Sequence, residues 1–457
     1  MRGSRAERAD MQTRLLHFPS AMNAGTNLIL EGARVARSPY SAKYRTLFLR
    51  GTQIESIIMP GVADLPHGAN AAAKIDLTGY VILPGLINAH DHLDFSLFPR
   101  LGQGPYPGWR EWAADIHRSQ QSLIQEYLRV PRDARIFWGG IRNLLSGVTT
   151  VSHHNPYQPH LFDDGFPVRV LREYGWVHSL VEIHRVGERF QHTPPAWPFI
   201  IHLAEGTDET SQKELDLLQS LVSLEERLVL VHCVGLTPRQ CENVARSGVG
   251  VVWCPSSNLY TLGKTLAVEQ LSNFPNLALG TDSPLTAKGD LLDEIRLVHK
   301  QIGLPASVIY ELVTTRAARL LQLRNGEGTL QVGTPSDLVV ARDRQLMPAE
   351  TLVQLSWRDL ELVMQDGRIV LLSPVLAERV PKPLKQGMEW ISVDGTARLL
   401  RAPIAELLSK THINLGRAPS ICGRELSLIE PRQSPRHELV SMSGSNTSMR
   451  SQGSFIF

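Results

Sequence analysis

Two histidines one residue apart, His90 and His92, end the stretch Val81–Phe95, VILPGLINAHDHLDF. Alternate side chains of a β-strand point the same way, so both imidazoles project to one face and Asp91 to the other. Two imidazoles so placed can grip one metal ion through ring nitrogens at about 2.0–2.1 Å. A His-x-His pair alone is as easily structural, so its weight depends on partners downstream. Three further polar residues close apolar runs: His202 ends PFIIH, His232 ends LVLVH and Asp282 ends LALGTD. Each has a bland reading by itself, a half-buried histidine or the start of a loop. Together with the pair they put five potential ligands at the same end of successive apolar runs, which chance placement explains poorly.

The elements that must carry these residues alternate in type. Strand-like runs at 147–155, 175–183, 198–206, 228–235, 248–256 and 276–283 are separated by helical periodicities. Arg132–Leu145 repeats apolar residues at helical spacing, and Leu215, Leu218, Leu221 and Val222 line another stripe. Thr237-Pro238-Arg239-Gln240 reads as a capping box with proline at the first helical position. Leu291, Ile295, Val298 and Ile302 line a further helix, and Ala306–Leu323 gives the last. Such alternation predicts a parallel α/β fold, a (β/α)8-type TIM barrel that carries its chemistry at the strand C-termini. Seven strands are clear; Val168–Leu171 is the candidate eighth, and the barrel is otherwise abbreviated around strands 3 and 4. Short strands flank this middle, with Asp366-Gly367 as a hairpin signal. The expected organisation is a leader at 1–23, a small β-sandwich from 24–83 and 324–373, the barrel at 84–323, an extension with a helix at 374–431, and a disordered tail at 432–457.

Bulk properties exclude several classes. The 457 residues carry a net charge of +2, which implies neither nucleic acid nor an acidic membrane. Four scattered cysteines without CxxC spacing suit a reducing, cytoplasmic setting. No apolar run approaches the ~20 residues that span a bilayer. The expected partner is a small molecule, with a homodimer entertained because two-fold assemblies are the commonest.

The order HxH, H-x-x-E, H, T-D resembles the metal-dependent amidohydrolase superfamily, in particular its cytosine-deaminase-like branch with the chlorotriazine hydrolases. PGLINAHDH is similar to that family's first-strand motif, HLAEG to its fifth, HCVGL to its sixth, CPSSN to its seventh and GTDS to its eighth. The resemblance covers about 27–373. It implies that His90, His92, His202 and Asp282 hold one divalent metal, that His232 sits beside the attacking water, and that Glu205 is the proton shuttle. The residue chemistry agrees. Three imidazoles and a carboxylate leave an ion one open position, and the ion brings a water's pKa from 15.7 toward about 7. Asp282 can accept that water's proton. Glu205, three residues past His202, can protonate a leaving nitrogen, help worth about 10²–10⁴. Zinc suits the ligands, and iron(II) is compatible with them.

No lysine lies between Val151 and Gln212, so the carboxylated lysine of two-metal relatives has no counterpart and one metal is favoured. Glu182 is read as a structural partner of Arg185 or Arg189. One of His153 and His154 must face the interior, to touch substrate or support His90. Asn258 and Trp109, with Arg110, are candidates to shape the substrate pocket. His178 and His184 are read as structural. The expected activity is hydrolysis of a non-peptide C–N bond in a small molecule, as a deaminase or amidohydrolase. The alternatives are a catalytically silent barrel serving as a binding or scaffold protein, and a dipeptidase-type enzyme.

Overall fold

The structure, a computed structural model, describes residues 27–61, 67–162, 165–271 and 274–429. The expected leader and tail lie outside the described residues. Eight parallel strands carry the middle of the chain: β1 (Leu86–Asp91), β2 (Val148–His153), β3 (Arg169–Val170), β4 (Gly175–Trp176), β5 (Phe199–Leu203), β6 (Leu228–His232), β7 (Gly250–Trp253) and β8 (Leu277–Leu279). One ladder runs β3-β2-β1 and another β4-β5-β6-β7-β8. A parallel bridge between Asp91 and Asp282 brings the end of β1 beside the residues that follow β8. Thr281 and Asp282 both donate their N–H to the His90 carbonyl, at 3.0 and 3.1 Å. The order is therefore continuous from β3 through β1 and β8 to β4, and no ladder joins β3 to β4 among the described residues. The candidate eighth strand falls at Arg169–Val170, two residues long.

The run 175–183 departs from expectation. Only Gly175–Trp176 pairs as strand, and Leu180–Glu182 is already a 3-10 turn leading into the helix Ile183–His192. Ser179 starts that turn by accepting the Val181 N–H, while Glu182 reaches back to the His178 N–H at 3.2 Å. Ser179 and Glu182 thus satisfy backbone N–H groups at the start of the turn, overriding a β-branched run.

Five helices matter for the site: α1 (Arg132–Leu144), α2 (Glu209–Gln219), α3 (Pro238–Arg246), α4 (Pro255–Leu262) and α5 (Leu291–Leu297). The capping box expected at Thr237 is present, with Thr237 and Gln240 satisfying each other's backbone N–H. Eleven residues of α1, Ala134–Leu144, are all buried, so this helix is enclosed on every side.

The apolar run before Gly85 belongs to a different sheet from the histidine strand. Tyr80–Pro84 pairs antiparallel with Leu338–Arg342, whereas Leu86–Asp91 pairs parallel with β2. The chain changes sheets at Gly85, where a Cβ would lie 2.3 Å from Thr149 Oγ1. Only glycine allows that approach.

Tyr80–Pro84 sits in a ten-stranded sheet, which faces a four-stranded sheet made of 28–31, 46–50, 53–58 and 73–76. One apolar cluster joins them, with Leu28, Leu47 and Ile75 from the smaller sheet and Ile82, Val340 and Met364 from the larger. The Asp366-Gly367 turn has φ of +47° and +71°, as a tight hairpin requires.

The segment after 373, expected as a separate extension, instead adds four strands to the larger sheet. Leu371 and Leu372 pair with Leu400 and Leu399, and Glu389–Val393 pairs onward with Arg424–Leu428. The overlooked signal is Asp394-Gly395, a second hairpin turn with φ of +44° and +73° between two apolar-alternating runs. The expected helix is present as α6 (Ile404–Leu415). It packs on α1, where Trp138 Nε1 donates to Thr411 Oγ1 at 2.8 Å. No helix among the described residues is long and apolar enough to cross a membrane.

Trp138 is fully buried, so Trp138→Ala should lower unfolding free energy by about 3–5 kcal/mol in urea denaturation. A loss under ~1 kcal/mol would contradict the packing of α6 on α1.

Candidate metal centre and active site

The functional side chains gather where the parallel strands end. Four strand-end residues leave their strands through the left-handed region: Ala204 at φ +52°, His232 at +76°, Cys233 at +59° and Asp282 at +55°. Each non-glycine residue held there costs on the order of 1–3 kcal/mol, which the surrounding contacts must offset. The turns aim His232 and Asp282 inward. At Gly280 an added Cβ would lie 2.8 Å from the His90 Cβ, so the β8 end can approach β1 only because that residue is glycine.

His90 Nε2 lies 3.1 Å from His202 Nε2 and 3.7 Å from Asp282 Oδ1, and His92 Nε2 lies 3.4 Å from the same oxygen. Four ligands at about 2.0–2.1 Å around one tetrahedral ion stand about 3.3–3.4 Å apart. These three separations are those of neighbouring ligands around one ion. The trios His90–His92–His202 and His90–His232–Asp282 each keep their ligand atoms within 4.8 Å of one another.

The outer ends of these side chains are mostly fixed. His202 Nδ1 meets the His178 carbonyl at 2.8 Å, so Nδ1 carries the proton and Nε2 is bare. His232 Nδ1 meets Asn258 Oδ1 at 2.8 Å, with the same consequence. Asp282 Oδ2 accepts from Ser257 Oγ at 2.6 Å and from Thr286 Oγ1 at 3.1 Å, leaving Oδ1 for the imidazoles. His90 Nδ1 is buried without a partner.

Electrostatics follow from burial. Desolvation holds His90, His92 and His202 below the usual histidine range, in the neutral form that can ligate. Burial would raise Asp282, but its interaction with His90 and the adjacent His232 and His92 rings hold it well below the carboxylate range. Glu205 is raised to about 7, chiefly by burial, although His232 opposes the shift. Its Oε2 lies 3.5 Å from His232 Nε2.

Of the two adjacent histidines, His154 faces the cluster, its ring centroid 4.2 Å from that of His202. His154 Nε2 meets the Val177 carbonyl at 3.2 Å, and its Nδ1 is buried without a partner. His153 turns away: its Nδ1 accepts the Leu93 N–H at 3.2 Å and its ring packs on Phe162. Asn258 has both amide atoms engaged, one by His232 and the other by Thr265 at 3.3 Å, which places it behind His232.

Trp109 is half-buried at the mouth, 5.6 Å from the His178 ring. It is carried there by the loop after β1. That loop bridges Gly108 to Gly206, and the Trp109 N–H reaches the Glu205 carbonyl at 3.1 Å. Glu182 pairs with Arg185. His178, read as structural, both orients His202 through its carbonyl and sets its ring 5.0 Å from it. The Ser179 cap was the available sign that the strand ends there.

Residues 198–370 match the model of the Amidohydrolase family. The chain is 27% identical over 380 residues to a 5-methylthioadenosine/S-adenosylhomocysteine deaminase of Desulforudis audaxviator, covering 67% of this chain and 85% of that one. It is 30% identical over 339 residues to the enzyme of the same name from Nitratidesulfovibrio vulgaris, covering 60% and 73%. Among solved structures, atrazine chlorohydrolase from Arthrobacter aurescens TC1 complexed with zinc superposes with a TM-score of 0.63 at 17% identity, over 85% of this chain and 100% of that one. At that identity the likeness shows the fold, which is TIM-barrel-type α/β.

The chain belongs to the amidohydrolase family. It is a metal-dependent hydrolase of non-peptide C–N bonds in small molecules.

The raised Glu205 has a thermodynamic consequence in metal-free protein. Its carboxyl holds a proton to about 7 when folded and to about 4.5 when unfolded. The unfolded chain therefore ionises first, so stability falls as pH rises from 4.5 to 7 and the penalty is complete above 7. By 1.36 kcal/mol per pK unit the penalty is about 3 kcal/mol. Glu205→Gln should match wild type in urea denaturation near pH 4 and be more stable by about 2–3 kcal/mol at pH 8. A difference that does not change with pH would show that burial does not hold Glu205 protonated.

Proposed function

We propose that this chain is a mononuclear deaminase of a planar heterocyclic amidine, with purine nucleosides of the 5-methylthioadenosine and S-adenosylhomocysteine type as its first candidate substrates. The approach of His90 to His202 and of Asp282 to both His90 and His92 carries the reading. The names of the relatives supply the substrate class. These four residues would hold one divalent ion, zinc by ligand chemistry with iron(II) compatible. A single ion fits because Glu182 is engaged by Arg185 and the sequence offers no lysine between Val151 and Gln212. The architecture that serves it would be a (β/α)8 barrel broken between β3 and β4. A composite β-sandwich, including the strands after 373, would complete it.

When bound, the ion supplies Lewis acidity that makes a water nucleophilic at neutral pH. The chain's own residues do the rest. Asp282 Oδ1 takes a proton from the attacking water, and His232 Nε2, bare and facing inward, holds that water in line with the reacting carbon. Glu205 carries a proton to the nitrogen side. The water oxygen bonds to carbon as the C–N bond breaks. One of the water's protons ends on the ring nitrogen and the other on the departing amino group, so ammonia leaves. His154, with a free Nδ1 lone pair, would accept a substrate N–H, and Trp109 would cover the heterocycle. Asn258 would set the His232 tautomer instead of touching substrate.

The zinc-loaded protein should release ammonia from at least one member of a panel of 5-methylthioadenosine, S-adenosylhomocysteine, a chlorotriazine and an N-acyl amide. Release of chloride or carboxylate without ammonia would replace the deaminase reading with another hydrolysis. Glu205→Gln should lower kcat by about 10²–10⁴ while keeping its zinc. Full activity in that variant would remove Glu205 from the proton path. A folded wild-type protein that takes up no metal would point to a silent, binding barrel.

A further inference from the structure

Behind the histidine strand, on the face away from the metal centre, lies a polar network with no counterpart in the chemistry described so far. Asn88, Asp91, Arg142, Asn143 and Thr281 are all at most 2% exposed. Arg142 comes from the last turn of α1 and pairs with Asp91 Oδ1. The same Nη2 lies 3.4 Å from Thr281 Oγ1 and 3.4 Å from the Asp282 carbonyl. The other Asp91 oxygen takes Asn143 Nδ2 at 2.7 Å and Asn88 Nδ2 at 3.1 Å. Asn88 in turn holds Thr281 through its Oγ1 at 2.8 Å and its N–H at 3.1 Å.

We propose that Arg142 is a positioning residue for the metal centre, tying the His90–Asp91–His92 strand end to the Asp282 turn and so setting how tightly the site holds a divalent cation. Asp91 lies between two ligand histidines on one strand, and Thr281 precedes the ligand aspartate of another. One guanidinium nitrogen addresses both segments, so a shift of Arg142 changes the distance between His90, His92 and Asp282. Its placement is not what simple packing would select. A buried guanidinium is expensive to desolvate, and its Nε and Nη1 have no hydrogen-bond partner. An apolar side chain could fill the same space but could not fix Asp91 against the Asp282 carbonyl. Outer residues that orient ligands typically change metal affinity 10–100-fold when altered.

The inference rests on the metal reading above, and its test reads zinc binding without turnover. Zinc dissociation constants would be measured against a chromophoric chelator for wild type, Arg142→Met, Arg142→Lys, Thr281→Val and the control Trp138→Phe, with folding of each metal-free protein followed by circular dichroism. Arg142→Met should weaken zinc binding about 10–100-fold and Thr281→Val about 10-fold, with Arg142→Lys restoring part of the loss. Trp138→Phe, on the same helix but outside the network, should bind zinc as wild type does. Folded Arg142→Met and Thr281→Val with wild-type zinc affinity would overturn the proposal, as would an equal loss in Trp138→Phe. If Arg142→Met does not fold, Arg142→Lys and Thr281→Val decide the question on the same terms. Wild type that binds no zinc would remove the metal reading itself, whereas tight wild-type binding with unchanged variants removes only this inference.

Discussion

The molecule is organised around a desolvation problem. Four buried imidazoles and an ionised carboxylate crowd one point, where unpaired polar atoms are costly and like protonated rings would repel. The protein resolves this in part by fixing the far ends of three of these groups. A backbone carbonyl holds His202, an amide oxygen holds His232, and two hydroxyls hold Asp282. Each of the three is left with a lone pair aimed inward. Low solvation then favours the neutral rings, so the same burial that makes the pocket expensive also keeps it competent.

Backbone geometry carries equal weight. A parallel sheet delivers side chains to its C-terminal edge, but a straight continuation would send His232 and Asp282 past the centre. The left-handed conformations at these residues turn the chain back. First and last strands must also meet, and they do so through the hydrogen bonds of Thr281 and Asp282 to the His90 carbonyl. Gly280 is small enough to permit that contact, while Gly85 allows the chain to pass from the flanking sheet into β1. The site is therefore a property of strand ends and turns more than of any one element.

That dependence explains what could be read from the sequence. His90, His92, His202, His232 and Asp282 were legible because each closes a local apolar run, and local runs survive folding as strands. Glu205 was legible by its offset from His202. The choice between His153 and His154 was not, because a strand's facing depends on where its ladder begins. His178 was passed over for a related reason: the Ser179–Glu182 cap ends the strand there, and β-branched composition concealed it. Arg142 could not be found at all. It lies 51 residues from Asp91 on a helix whose arginines look like a solvated face, and only the enclosure of α1 makes it a core residue.

The strands after 373 belong to this same economy of buried charge. Arg424, from the last described strand, pairs with Asp290 at 2.6 Å and with Asp293 at 3.0 Å. Asp290 is 1% exposed and caps α5, its side-chain oxygen accepting the Leu292 and Asp293 N–H groups. One turn on, Glu294 of α5 binds both the N–H and the hydroxyl of Ser256, whose neighbour Ser257 donates to Asp282. A buried carboxylate stripped of its guanidinium partner is strongly destabilising, more so than a pair that never existed. Without Arg424, the burden would fall on the cap of the helix that stands behind the seventh strand's loop. The C-terminal strands thus extend the larger sheet and neutralise the charge on which α5 is seated, and through Ser256 and Ser257 that seating adjoins Asp282.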